Sequence, residues 1–537
     1  MTARRLPRGA EGPDQPRAGL AEATVLASLL GVDVGTTGVK SLLIDERGRA
    51  LASAFCPCPL HTPRPNWAEQ DPADWYNASV QSVRAVLARA GPGASSRVAA
   101  LSFSGQMHSA VFMDAAGEVV RPALLWCDTR TGEECRNLNE DVGPGTLQSL
   151  VGNIAFEGFT LPKVLWLRGH ESSLFARVRH VLLPKDYVRW RTSGEMATEP
   201  SDASGTLLFD VREGRWSSEL MSHLKLSPGL FPPVVASAQR CGAVARDFAR
   251  ATGLATWTPV VAGGADNACA ALGTGVVASG QVMASIGTSG TVLAPTEQPR
   301  VDPRARVHTF CHALPSRWYL MGVVLSAGGC LRWYRDNLGA LETAFASVVQ
   351  ADAYDLLAAQ AAEAPPGAEG LLFLPYLLGE RTPHRDAKAR AGLIGLTARH
   401  TRAHVIRAVM EGAVHAMKDS LDVLEELGVE CRDIRLTGGA ARNTLWCRLQ
   451  ADVFGRTVRA AALEEGPALG AALLAGVGVG VYPDVPAAVE GAVRLRQEMR
   501  PEAENAPLYR ERHQLYKDLY VALKAAFDRA AAWDTES

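Results

Sequence analysis

Residues 281–294, QVMASIGTSGTVLA, decide how the chain is read, because they repeat a design already met at residues 25–45, VLASLLGVDVGTTGVKSLLID. In both stretches a hydrophobic run that reads as a strand enters a Gly-Thr-hydroxyl-Gly turn and leaves as a second run. The turns begin at Gly35 and Gly287, 252 residues apart. A turn that recurs one large domain later predicts two related halves, each opening on its own glycine hairpin and both able to grip one ligand. Four matching residues also fit generic hairpin chemistry, so the surroundings carry the weight.

Outward from the first turn, Glu46-Arg47-Gly48 makes another bend and RALASAF (49–55) a third run, which predicts an antiparallel meander. A helix follows, with Asp71 as N-cap, Pro72 at its first position and Gly91 past its end. Tyr76, Val80, Val83 and Leu87 form the apolar stripe expected to pack on the meander. Further on, VAALSFS (98–104) passes through Gln106-Met107-His108 into SAVFMD and VVRPALLW, again strands around a loop, while residues 130–250 mix helices and loops.

The 537 residues are 47% hydrophobic and 21% charged, with a mean hydropathy of -0.00, enough for large cores and too apolar for disorder in the bulk. At roughly 150 residues per domain, two large domains fit the length. A net charge of −2 provides no summed positive field, so nucleic acid and anionic membranes are excluded as partners held by charge alone. Ten scattered cysteines show no zinc or disulfide spacing, which predicts free thiols in a reducing cytoplasm. The opening MTARRLPRGAEGPDQPRAG lacks the apolar core of a secretory signal, and residues 1–22 read as a disordered leader. The longest apolar stretch, Pro467 to Tyr482, falls short of the ~20 residues that span a bilayer.

Both Gly-Thr turns, Gly35-Thr36-Thr37-Gly38 and Gly287-Thr288-Ser289-Gly290, combine backbone N–H groups with hydroxyl donors, the makings of an anion nest; an ordinary turn is the alternative. No Gly-rich P-loop with its lysine is present. Asp33, two residues before the first turn, could hold Mg²⁺ beside phosphates or be satisfied by the turn's own amides. In PVVAGGADNACAALG (259–273) a buried strand, two glycines and a small-residue helix bring Asp266 to a helix start, where it could cap the helix, accept a proton from a hydroxyl, or both. Gln106 and His108, at a strand end, could bind hydroxyls, with Trp126, Asp128 and Arg130 weaker candidates. Gly438-Gly439, between a strand and a helix, would let a flat ring such as adenine lie against the turn, or serve tight packing alone. A GxGxxG fingerprint is absent at every strand-to-helix junction, which argues against a nicotinamide enzyme.

Together GVDVGTTGVKSLLID, NWAEQDPADWY, SGQMHSAV, LLPKDYVRWRTSGE, SDASGT, VVAGGADNACAALG, SIGTSG, FCHALPSRWYLMGVVLSAG, FLPYLLGERTPH, LTGGAARN and EGPALGAALLA resemble the FGGY carbohydrate kinases, in order from about Leu30 to Phe527. The resemblance implies an α/β fold of two actin-like, ribonuclease H-like domains with a nucleotide and sugar cleft between them. It implies a leader over 1–22, an N-terminal domain over 23–275 with the sugar site and catalytic Asp, and a C-terminal domain over 276–537 with the nucleotide site. Asp266 is then the general base and, with Asp33, a magnesium ligand. Gln106, Met107, His108 and Asn267 are substrate contacts beside it. Asp33, Thr36, Thr37, Gly287, Thr288 and Ser289 face the phosphates of ATP, and Gly438, Gly439 and Asn443 the adenosine. The expected reaction moves the γ-phosphate of ATP to D-xylulose, the sugar for which Gln106-Met107-His108 argues. Rivals are another ketopentose, a polyol or an aldonate as acceptor, or an ATP-driven binding protein akin to actin and the heat-shock chaperones. Sugar and ATP are the expected partners, without nucleic acid or membrane, and a homodimer is compatible with the resemblance. Two departures from the family pattern stand out, Ala265 in place of a glycine and Cys127 in place of an asparagine.

Overall fold

Each hydrophobic run that enters a glycine turn folds as a strand and pairs antiparallel with the run that leaves it. In the computed structural model, which describes residues 27–533, β1 (Ser28–Val34) pairs with β2 (Gly38–Asp45), and β2 with β3 (Ala50–Pro57). The leader expected over residues 1–22 lies outside the described residues. β4 (Val98–Gly105) runs parallel to β1 on its other side, and β5 (Pro259–Ala265) parallel to β4. Both faces of β1 are covered, so Leu29, Leu30, Val32 and Val34 are all fully buried, as a run whose only charged residue is Asp33 requires of a central strand with a parallel neighbour.

The second half repeats this plan. β6 (Gly280–Ile286) pairs antiparallel with β7 (Gly290–Thr296), and β7 with β8 (Trp318–Val324). β9 (Cys431–Thr437) runs parallel to β6 and β10 (Val458–Ala461) parallel to β9. The orders β3-β2-β1-β4-β5 and β8-β7-β6-β9-β10 are therefore the same, with matching strand directions; Arg240–Ala243, His308–Cys311 and Leu495–Met499 add edge strands. This is the α/β fold of two actin-like halves, and the four-residue match was the visible part of a duplication that extends through the sheets.

Helix α1 (Pro72–Arg89) starts as its caps dictate, Asp71 accepting the Ala73 N–H at 2.9 Å. Its buried face includes Trp75, Ala78, Ser82, Val83, Val86 and Leu87, and the Ser82 and Ser41 hydroxyls meet at 2.7 Å across the contact with β2. Tyr76 and Val80, expected in the centre of the stripe, lie at its margin, because Tyr76 turns away from the sheet to pack against Phe248 and under Arg191.

α2 (Asp266–Gly273) follows β5 directly. In the second half α3 (Gly328–Asn337), α4 (Arg402–Glu426) and α5 (Thr444–Phe454) precede α6 (Gly466–Gly478). α6 grows from the apolar stretch noted above, yet it packs on the first sheet, against β1 and α2. The approach is so close that a Cβ on Gly31 would stand 1.8 Å from the Ala468 carbonyl oxygen, and one on Gly470 2.0 Å from that of Cys269. Among the described residues no helix is long and apolar enough to cross a membrane, and all ten cysteines are free.

Candidate active site

β5 lies so tightly along β4 that a Cβ on Gly263, at φ +89°, would meet the Phe103 carbonyl oxygen at 1.8 Å. At the end of β5 the Ser201 hydroxyl holds the Ala265 N–H at 2.9 Å and is itself held by the Glu199 carboxylate, so the entry to α2 is fixed from behind. Asp266 is the first residue of that helix and does not cap it. Its Oδ1 accepts the backbone N–H of Asn267 at 2.7 Å and the Asn267 amide at 2.9 Å. The carboxylate thus faces a cavity of about 370 Å³ lined by both halves, with Met107, His108, Trp126 and Asn267 on one side and Gly287, Ser289, His308, Arg381 and Gly438 on the other.

The expected sugar contacts divide. His108 sits at φ +70° with Nδ1 2.6 Å from the Gly205 carbonyl, which only accepts, so Nδ1 carries the hydrogen and Nε2 is left as an acceptor. Burial pushes this ring down to about 3, and it is neutral. Met107 is buried, with Sδ accepting at 3.8 Å from both the Asn267 amide and the Tyr319 hydroxyl. Gln106 is not at the cavity surface: its Oε1 accepts from Thr36 at 3.2 Å and from Ser109 at 3.1 Å, beneath the first turn. Trp126 reaches the cavity with its ring while its Nε1 donates to Thr36 Oγ1 at 2.9 Å. Asp128 and Arg130 form a buried pair, with Arg130 over the Trp67 ring at 3.5 Å, and belong to the packing.

The first turn closes with Gly35 N–H on the Gly38 carbonyl at 3.0 Å; the Thr36 carbonyl accepts from Gln70, and that of the exposed Thr37 from the Cys58 N–H. The second closes with Gly287 N–H on the Ser289 carbonyl at 3.0 Å and abuts α3, the N–H groups of Gly328 and Gly329 reaching the carbonyls of Gly287 and Thr288. Gly438, at φ +79°, lines the cavity where a Cβ would meet the Ile286 carbonyl at 2.6 Å, and Gly439 opens onto free space. Asn443 stands outside the lining; it caps α5 through the N–H groups of Leu445 and Trp446 and donates to Asp355 at 3.3 Å.

Burial first, and then the charge of Asp33, hold Asp266 up at about 7. Asp33 is itself raised to about 6 by burial, against the pull of the Ser104 hydroxyl and the Lys40 charge, and its Oδ1 is buried without a hydrogen-bond partner among the described residues. Two carboxylates that disfavour each other's charge, one with an unsatisfied oxygen, suit a proton acceptor beside a divalent cation. Sequence reasoning did not single out Arg381 and His308. The Glu380-Arg381-Thr382 triplet that follows the apolar run LLFLPYLLG (371–379) was the available signal for the first; His308, in a short edge strand, gave none.

Models of the FGGY family of carbohydrate kinases match along the same division, the N-terminal domain over residues 28–273 and the C-terminal domain over 282–479. Xylulose kinase from Bacillus subtilis strain 168 is 37% identical over 496 residues, covering 92% of this chain and 97% of that protein. Xylulose kinase from Escherichia coli K12 is 38% identical over 502 residues, covering 92% and 99%. The crystal structure of a xyloylose kinase from Brucella ovis superimposes with a TM-score of 0.84 at 36% identity over 93% of this chain and all of that one, 100%. These matches run through both sheets and through every segment that reaches the cavity from Met107 to Gly438, and the chain belongs to the FGGY family of carbohydrate kinases.

Proposed function

We propose that the chain transfers the γ-phosphate of ATP to the O5 hydroxyl of D-xylulose, giving D-xylulose 5-phosphate and ADP. The observation that carries this is the position of Asp266, a carboxylate at a helix start facing a cavity that both halves line, the second half with its glycine turn at Gly287 and Ser289. The substrate named for the similar kinases supports D-xylulose as the acceptor.

Phosphoryl transfer passes through a loose transition state, so alignment and charge neutralisation dominate. The O5–H bond breaks toward Asp266, the O5–Pγ bond forms, and the Pγ–O bond to ADP breaks with its electron pair leaving on ADP. A base held at about 7 is well placed to take that proton near neutral pH. Met107, His108 and Asn267 position the sugar, with Gln106 acting through Thr36. Thr36, Thr37, Gly287, Thr288 and Ser289 supply the phosphate end, and Gly438, Gly439 and Asn443 the adenosine end. Asp33, with Asp266, would hold Mg²⁺, which supplies charge neutralisation on the phosphate oxygens when bound.

Residues 23–275 hold the sugar and the base and residues 276–537 the nucleotide, with α6 crossing that line to pack on the first sheet. Ten free cysteines support a reducing, cytoplasmic setting. A homodimer is part of the proposal, supported by the exposed apolar residues Leu341, Phe345 and Val348 and checked by light scattering.

A coupled ADP assay over ketopentoses, pentitols and aldonates, with mass spectrometry of the product, tests the whole. D-Xylulose is expected to give the highest kcat/KM; a tenfold preference for another acceptor removes the substrate, and ATP hydrolysis stimulated by peptide but by no sugar removes the reaction.

A further inference from the structure

The cavity contains a cation that the chemistry above does not use. Arg381 stands in a loop whose backbone is fixed on both sides. Its own N–H donates to Glu380 Oε1 at 2.8 Å, that oxygen also accepts the Leu325 N–H at 3.0 Å, and Thr382 exchanges two 3.0 Å bonds with Val323 of β8. Glu380 and Thr382 are buried, so this frame is rigid. Arg381 lines the cavity with its guanidinium 5.5 Å from the Phe156 ring, and among the described residues no carboxylate closes to an ion pair with it. The carboxylates whose charge it feels are Glu157 and Glu380; Glu380 is held through Oε1 by backbone N–H groups, and its buried Oε2 has no hydrogen-bond partner among the described residues. A cation partly withdrawn from water without a counter-ion is costly, and a ligand that completes it accounts for its retention.

The position of Arg381 identifies the ligand. Its charge is felt by His108 and His308, which surround Phe159 at 4.8 and 5.6 Å between ring centres. Asp266 is joined instead to Asn267 and through it to the Met107 sulfur, and the charge that acts on Asp266 is that of Asp33. The guanidinium and the base thus line one cavity with His108 but belong to separate sets of contacts in it. In a 2-ketopentose the stable ring closes through O5, so a sugar that presents a free O5 hydroxyl to Asp266 is open-chain and exposes its C2 carbonyl. Such an oxygen only accepts, and a guanidinium only donates, whereas His108 Nε2 is an acceptor suited to a hydroxyl.

We infer that Arg381, from the second half of the chain, is a specificity-determining contact that donates to the C2 carbonyl oxygen of the open-chain ketose while the O5 hydroxyl faces Asp266. This rests on the ketose kinase assignment. It makes the acceptor a bridge between the halves, and it selects ketoses over their reduced pentitols.

The test is equilibrium binding to the full chain without nucleotide, followed by the fluorescence of Trp126 and its neighbours, with D-xylulose and with xylitol, its C2-reduced counterpart. In Arg381→Met the affinity for D-xylulose is expected to fall by about tenfold or more, as for loss of a charged hydrogen bond. Xylitol and ATP should change far less, so that the preference for the ketose collapses, and Arg381→Lys should restore part of it. Equal losses for D-xylulose and xylitol would reduce Arg381 to a packing residue, and a weakened ATP response with unchanged sugar binding would move it to the triphosphate; either overturns the inference. Should Arg381→Met fail to fold, Arg381→Lys and Arg381→Gln carry the same comparison. A parent protein that binds neither compound would instead indict the substrate assignment.

Discussion

The turn at Gly35–Gly38 and the turn at Gly287–Gly290 occupy equivalent places in equivalent sheets, yet different groups hold them. The first is braced by side chains, Gln106 and Trp126 both bonding the Thr36 hydroxyl, while the second is braced mainly by backbone, the amino end of α3 donating to its carbonyls and one side chain, Arg332, to the Thr288 hydroxyl. The same contrast runs along the neighbouring strands. Two residues before the turn the first half has Asp33 and the second Ser285; after the next core strand the first has Gln106-Met107-His108 and the second the bare Gly438-Gly439. A small polyhydroxyl acceptor needs individual donors and acceptors, which side chains provide. Phosphates and a flat base are served by N–H groups and open backbone. Duplication supplied one frame, and the chemistry diverged at the positions where that frame meets ligand.

Removing the carboxylate assigned as the base should have the largest effect. Asp266→Ala is expected to lower sugar-dependent ADP formation by ~10²–10⁴ while ATP still binds by titration calorimetry. In the parent, the acid limb of kcat/KM for sugar should rise with pH through about 7, because Asp266 is protonated and unable to accept below that value. Importing the first half's charge comes next. Ser285→Asp, at a residue lining the cavity, should raise the KM for ATP by about tenfold or more through like-charge repulsion with phosphates. His108→Ala should raise the sugar KM more than the ATP KM, because its ring stands among the side chains that face the acceptor; an equal rise would blur the contrast. Smallest is Asn443→Ala, which removes the α5 cap and should cost about 1 kcal/mol by denaturant melts, with a modest rise in the KM for ATP.

What the sequence made legible was local. The meander, the Asp71 cap and both glycine turns follow from periodicity and from bonds that close within a few residues. Asp266 was found because strand, glycines and helix lie together in the chain, but its capping role was not realised, since Oδ1 bonds the next residue instead. The exceptions depend on distant partners. Gln106 is turned away from the cavity by Thr36, 70 residues earlier, and Tyr76 is rotated out of the α1 stripe by Phe248. Arg381 reaches the cavity only because Val323 and Leu325 anchor its loop.

The seating of α6 on β1 bears on how the chain comes apart. Ala468 and Ala472 press on Gly31, so the covering of the first sheet is encoded more than 400 residues after the strand it protects. A fragment ending near residue 275 would leave that strand bare to solvent and prone to self-association. The first lobe cannot be cut out as a free-standing unit at that boundary, and denaturant should dissolve its sheet together with the seat of α6.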